Sequence, residues 1–305
     1  MLSDLANFLT PDETFGDLLA RCHSEPLALG VRFLEELVPV RASQLIEISG
    51  ASGSGKTELL TQAAAAAILP KVSGLDLGRG EHAIYLDLDG KFDLIRLMQV
   101  LQGRLRAAEP EANQQGVELP DDVLRPSLQR FHLIQCHSSF DYLAALWTLR
   151  NLIPILQEAE GCQLLLLDNV AAFYWLDRIC QPTPSAPPGP RADLSGQGGV
   201  LTLQSVHAAA GQMLKDLMRT HRLVCLATRH NILTSQGDAD GWHYHDFMPQ
   251  PWQALVRHKV LLKSVPGSWT SQGRSTLFQG INQNPTWRSD GTQAQKAPLL
   301  ARSLR

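Results

Sequence analysis

Two periodicities share this chain. Gln44–Ser49 alternates with a period of two, placing Leu45, Glu47 and Ser49 on one face of a strand. The stretch after it, Thr57–Gln62 and then Ala63–Ala67, is a strong helix former with a small-residue face, and Pro70 stops it. Ala83–Leu88 reads as a second strand. Phe92–Arg106 then repeats apolar residues at Leu94, Ile95, Leu97, Met98, Leu101 and Leu105, a helical spacing. Glu109–Pro126 is polar and turn-rich. Phe131–Cys136 reads as a third strand, and Ser139–Glu160 as a helix that Pro154 should kink or divide. Leu164–Asp168 opens on four leucines, the pattern of a strand buried on both faces. Val200–Thr220 is helical by pattern, and Leu223–Thr228 is a fifth strand. Leu255–Lys263 and Arg274–Ile281 read as an antiparallel pair.

Strands alternating with helices predict an α/β fold with a mostly parallel central sheet flanked by helices and an antiparallel C-terminal extension. Residues 1–42 form a lead-in in which Leu27, Val31, Leu34 and Leu37 share a helical face; 43–283 hold the core, and 284–305 are a tail read as flexible. The lead-in is too short to be a separate globular domain without staples. Two long irregular stretches, Pro182–Gly199 and Thr234–Pro251, interrupt the alternation. Long loops at the carboxyl ends of parallel strands are usually functional.

Composition narrows the class. A chain of 305 residues can bury a full core as one large domain or two small ones. No apolar run approaches the ~20 residues of a membrane span, and Met1–Asp4 does not open a signal peptide. Five scattered cysteines without a C-x-x-C pair read as reduced, buried thiols. The formal net charge of −3 argues against an electrostatically driven nucleic-acid binder acting alone. The clusters Arg219, His221, Arg222 and Arg257, His258, Lys259 read as solvated faces.

The chemistry lies in one run. Gly50, Ala51, Ser52, Gly53, Ser54, Gly55, Lys56 and Thr57 fit G-x-x-x-x-G-K-[ST] between a strand and a helix. The glycines let consecutive amides curl around a polyphosphate. Lys56 reaches the β/γ-phosphates, and the Thr57 hydroxyl is placed to ligate Mg²⁺. ATP with Mg²⁺ is therefore the expected cofactor. Asp168, at the end of the leucine strand, is the expected second metal residue beside Thr57. Asp87-Leu88-Asp89-Gly90 has the D-x-x-G form of a GTPase switch, but no N-K-x-D guanine-reading motif accompanies it. Asp89 is read instead as a carboxylate at the end of the strand beside the phosphate-loop strand, able to orient the attacking water.

With these residues in order, the chain resembles the RecA-like recombinases, and specifically their eukaryotic DNA-repair paralogues, from about Ser43 to Lys263. Tyr85–Phe92 (YLDLDGKF) is similar to the family's Y-I-D-T-E-G-T-F, and Leu165–Asn169 to its second Walker motif. Leu226–His230 stands where the family has I-T-N-Q, whose glutamine senses the γ-phosphate; Trp252–Lys259 resembles the strand after its second DNA loop. The resemblance implies a nuclear ATP-binding subunit of a heteromeric paralogue complex. Such a subunit is bound to the D-type recombinase paralogue and assists homologous-recombination repair of double-strand breaks on single-stranded or branched DNA.

Departures from the pattern lower the expected activity. The catalytic glutamate is Asp89 here, one methylene shorter, and a misplacement near 1 Å can cost about 10²-fold in rate. The sensor glutamine is His230. Thr234–Pro251 has no Lys or Arg and carries Asp238, Asp240 and Asp246, although Trp242, Tyr244 and Phe247 could stack on bases. His243 and His245 are a weak hint of metal. The expectation is an ATP-binding subunit with a weakened catalytic site. An active DNA-dependent ATPase that remodels recombinase filaments, or a small-molecule kinase, are the alternatives.

Overall fold

The computed structural model describes residues 14–16, 19, 25–72, 75, 77–115, 122–179, 203–230 and 247–265, with short backbone segments between 269 and 301. Its helices are α1 (Arg32–Leu37), α2 (Lys56–Ile68), α3 (Leu94–Gln115), α4 (Leu124–Gln129), α5 (Ser139–Ala159), α6 (Tyr174–Ile179), α7 (Leu203–Thr220) and α8 (Gln250–Leu255). Its main strands are β1 (Leu45–Gly50), β2 (His82–Asp87), β3 (Phe131–Gln135), β4 (Cys162–Asp168), β5 (Val224–His230) and β6 (Val256–Val265).

These six strands are all parallel and lie in the order β6-β1-β5-β4-β2-β3. Beyond β6, Leu277–Asn282 pairs antiparallel with β6, and Leu299–Ala301 pairs antiparallel with Leu277–Asn282. The period of two distributes each strand between two cores. Ile46 and Ile48, Ala83 and Tyr85, Leu164 and Leu166, and Val224 and Leu226 face one apolar cluster, with α1, α2 and α3. Leu45, Ile84 and Leu86, Leu165 and Leu167, and Cys225 and Ala227 face the other, with α5, α7 and α8. Leu164 to Leu167 are all at 0% exposure, as expected of a strand covered on both sides. The thiols of Cys136, Cys162 and Cys225 are free and buried.

Several local readings shift. The helical face read over Leu27–Leu37 forms a helix only at Arg32–Leu37; Leu27 lies outside it and donates its amide to the Val40 carbonyl. Leu29, Val31, Leu34 and Leu37 are buried in the same cluster as the α2 alanines. Helix α3 continues past Arg106 to Gln115, with Pro110 inside it, through a stretch expected to be turn-rich. Ala112 is buried there and holds that end to the core. The Arg106 carbonyl that Pro110 cannot satisfy belongs to an exposed residue. Likewise α5 is not divided by Pro154.

The strand order corrects one expectation outright. Strand β2, which leads to Asp89, is not beside the phosphate-loop strand. It pairs with β4 and β3, while β1 pairs with β5 and β6. Asp89 therefore follows the strand next to the one carrying Asp168. Two consecutive residue windows say nothing of which strands insert between them, and β5 and β4 take that place.

Candidate nucleotide site

In a parallel sheet every strand ends on the same edge, so residues closing different strands converge there. Gly50 closes β1, Asp87 closes β2, Asp168 closes β4 and His230 closes β5. The register sets Gly50 beside His230 and Asp87 beside Asp168. The run Gly50–Thr57 turns from β1 into α2 at this edge. Gly55 caps the helix in the left-handed region at φ 88°, and Gly53 takes φ 74°, conformations that favour glycine. Gly50 is required for another reason. A Cβ there would lie 2.5 Å from Ser54 Oγ and 2.6 Å from the Leu262 carbonyl oxygen of β6.

Lys56 folds back over the loop. Its Nζ donates to the Gly50 carbonyl at 3.0 Å and the Ala51 carbonyl at 2.7 Å, with Ser54 Oγ at 3.4 Å. Burial pushes its pKa down to about 8; Lys91 acts in the same direction and Asp168 against it. Ala51, Ser52 and Gly53 form the exposed tip, while Ser54 is buried.

Asp168 is the hub of the site. It is 3% exposed, and Thr57 Oγ1 donates to its Oδ2 at 2.8 Å. The Tyr85 hydroxyl donates to the same oxygen at 2.8 Å, and the Thr228 hydroxyl donates to Oδ1. Burial, then the Asp168 charge and this hydrogen bond, hold the Tyr85 phenol well above its usual range, so it stays a donor. Thr57 and Asp168, singled out as the metal pair, are thus brought into direct contact, the first turn of α2 against the end of β4. Neither Tyr85 nor Thr228 was singled out. Their signal was parity: Tyr85 sits two residues before Asp87 at the end of β2, and Thr228 two before His230 at the end of β5.

Asp87 builds the turn that carries Asp89. Its Oδ1 accepts from the Gly90 and Lys91 amides at 2.9 and 3.2 Å, and its Oδ2 from the Phe92 amide at 3.1 Å. Asp89 Oδ2 pairs with Lys91 Nζ at 2.7 Å, and its Oδ1 is buried with no hydrogen-bond donor among the described residues. The hydrogen bond to Asp89 raises the Lys91 pKa, so this ammonium is charged. His230 is half-buried. Burial first, then Lys56 and Lys91, lower its pKa, which keeps the imidazole neutral near pH 7. Asp89, Lys91, His230 and Asn169 line one cavity of about 420 Å³ together with Phe173, Trp175 and Phe247.

A second set of buried polar groups supports the edge from below. Arg229, next to His230, is fully buried and pairs with Glu47 of β1, Nη2 to Oε1 at 3.1 Å. The Trp252 indole donates to the other Glu47 oxygen at 2.7 Å, and the Arg229 guanidinium lies 5.3 Å from the Phe247 ring centroid. Phe247 in turn contacts Tyr174 and Trp175. Glu58, the acidic residue after Thr57, is held by Arg96 of α3 through two hydrogen bonds of 2.8 and 2.7 Å, tying α2 to its neighbour. Arg219, His221 and Arg222 precede β5 and so lie at the opposite end of the sheet. The loop Pro182–Gly199 lies outside the described residues, as does 234–246 with Trp242, His243, Tyr244 and His245. No group of three or more potential metal ligands of the His, Cys, Asp or Glu type occurs among the described residues.

These residues fit a Mg²⁺–nucleotide. The loop has a cradle closed to any Cβ at Gly50, a lysine satisfied only by loop carbonyls and a serine, and a hydroxyl–carboxylate pair of the kind that holds Mg²⁺. Strand, glycine-rich loop and helix on a parallel sheet, with an aspartate of a second strand bonded to the loop threonine, define a phosphate-loop α/β fold. No family model matches the chain. It is, however, 30% identical over 301 residues to the "DNA repair protein XRCC2 homolog" of Arabidopsis thaliana, covering 84% of this chain and 78% of that one. It is 30% identical over 264 residues to the "DNA repair protein XRCC2" of Mus musculus, covering 83% and 81%. Over 194 residues it is 30% identical to the "DNA repair and recombination protein RadA" of Methanoculleus marisnigri, 63% of this chain and 50% of that one. The core is RecA-like, and the chain belongs to the RAD51-paralogue family, where it stands with XRCC2.

Proposed function

We propose that this chain is the ATP-binding subunit of a recombinase-paralogue complex that assists homologous-recombination repair of DNA in the nucleus. Membership of the family supports the role in DNA repair and recombination. The observation that carries the nucleotide reading is the 2.8 Å contact of Thr57 Oγ1 with Asp168 Oδ2 beside the folded-back Lys56. Gly50, Ala51, Ser52, Gly53, Ser54, Gly55 and Lys56 would hold the phosphates, and Thr57 and Asp168 the Mg²⁺; the cation would draw charge from the phosphate oxygens. A D-type recombinase paralogue is the proposed partner, and single-stranded or branched DNA is met through the complex.

Hydrolysis is proposed to be weak. Asp89 is one methylene shorter than the glutamate that would orient the water, and His230 is a neutral imidazole where the family has an amide. Titration of the purified chain with Mg²⁺–ATP tests the reading. The wild type should bind, Lys56→Ala should lose binding and keep its circular dichroism spectrum, and turnover should stay low with or without single-stranded DNA. Failure of the wild type to bind overturns the nucleotide reading. Fast DNA-stimulated turnover that Asp89→Ala abolishes overturns the weak-hydrolysis reading.

A further inference from the structure

Lys91 is the one permanently charged cation among the described residues lining the 420 Å³ cavity at the strand ends. Its backbone is fixed. The Asp87 carboxylate binds the amides of Gly90, Lys91 and Phe92, which sets the turn after β2 on the sheet edge. Its side chain is not fixed. It is 62% exposed, and its ammonium is engaged by a single carboxylate oxygen, Asp89 Oδ2, where an ammonium has three donors to give. Lys91 and His230 line the same cavity, and His230 is in register beside Gly50, where the phosphate loop begins, so the cavity adjoins the loop. Lys56 is at the loop itself and His230 is neutral. A triphosphate held by the loop brings negative charge, only partly offset by Mg²⁺, toward Asp168 and Asp89. Among the described residues lining the cavity, Lys91 alone has the permanent charge and the spare donors to answer it on the Asp89 side.

We propose that Lys91 is a terminal-phosphate ligand that lets this site tell a nucleoside triphosphate from a diphosphate. Its ammonium leaves Asp89 for a γ-phosphate oxygen when a triphosphate fills the loop, and returns to Asp89 when a diphosphate does. The site thereby reports the phosphorylation state of its nucleotide through one mobile side chain. This rests on the nucleotide reading above.

The test is calorimetric titration of the full chain with Mg²⁺–AMP-PNP and with Mg²⁺–ADP, for wild type, Lys91→Ala and Lys91→Arg. Loss of one charge-assisted hydrogen bond weakens Lys91→Ala about tenfold for AMP-PNP, while ADP affinity stays within about twofold. Lys91→Arg keeps most of the discrimination, which a purely structural role would not explain. Because the side chain is largely exposed, Lys91→Ala should fold, and circular dichroism checks this. Equal losses for both nucleotides, or no loss for either, overturn the proposal while wild-type binding leaves the nucleotide reading standing. A wild type that binds neither nucleotide overturns both.

Discussion

Replacing Glu47 by leucine tests how the phosphate-loop strand is held in the sheet. Glu47 and Arg229 are both at 0% exposure, on neighbouring strands, with the guanidinium 3.1 Å from one carboxylate oxygen and the Trp252 indole 2.7 Å from the other. Removing one partner of a buried ion pair costs about 3–5 kcal/mol, because a desolvated charge remains. Stripping the indole N–H of its acceptor adds about 1–3 kcal/mol. Glu47→Leu should therefore lose most of a stability that in whole is about 5–15 kcal/mol. Arg229→Met should cost about 3–5 kcal/mol for the same reason. The double variant removes both charges of this pair, so the penalty of an unpaired partner cancels and the indole loss of about 1–3 kcal/mol remains. It should be more stable than Glu47→Leu alone, with a coupling of at least about 2 kcal/mol. Urea unfolding of the four proteins followed by circular dichroism measures this. Should a single variant fail to fold, the soluble yield of the double variant against each single reads the same contrast. A double variant as unstable as the two singles summed refutes the reasoning.

Two further outcomes can be checked on the same purified chain. Gly50→Ala puts a Cβ 2.6 Å from the Leu262 carbonyl, a backbone atom of β6 that cannot rotate away, and should cost about 1–3 kcal/mol; Gly53→Ala meets nothing within 4 Å and should cost only the left-handed strain, about 1 kcal/mol. Equal urea midpoints for the two would contradict this. His132, 3.0 Å from His82, is held below its usual pKa by burial and then by that neighbour, so the native state binds fewer protons than the unfolded one. Stability should fall as pH drops below about 6.5 towards the native value, and His132→Gln should give a shallower decline in melting temperature across that window; an unchanged slope would show that the pair carries no linkage.

What could be read in the residues was what lies close together along the chain. The phosphate loop is eight consecutive residues between a strand and a helix. The leucine run ending in Asp168 announces a doubly covered strand on its own. What could not be read was set by the order of strands. Asp89 was placed beside the wrong strand because nothing near Ala83 or Gln44 records that β5 and β4 lie between β1 and β2. The Glu47–Trp252 bond joins residues 205 positions apart, and Glu47 looked like one polar position in an alternating strand. Pro110 and Pro154 have local preferences that tertiary packing overrode. Buried Ala112 holds the end of α3, and Ile153 and Leu156 bracket Pro154 with core contacts.

The arrangement separates binding from chemistry in space, and this bears on how such a subunit can lose one and keep the other. The groups proposed for binding are rooted in the core. Gly50 cannot accept a Cβ, Asp168 is gripped by hydroxyls from three elements, and the loop strand is pinned to β5 by a buried ion pair. Altering any of them would be felt by the fold. The groups available for chemistry, Asp89 and His230, sit just past or at strand ends, and the Asp89 carboxylate is engaged by the largely exposed Lys91. A shorter carboxylate or an imidazole in place of an amide can be accommodated there with little effect on packing. Drift in this fold is therefore expected to erode turnover first and nucleotide binding last, so that under the proposed function a triphosphate would persist as a structural ligand, stabilising the state that binds it by mass action.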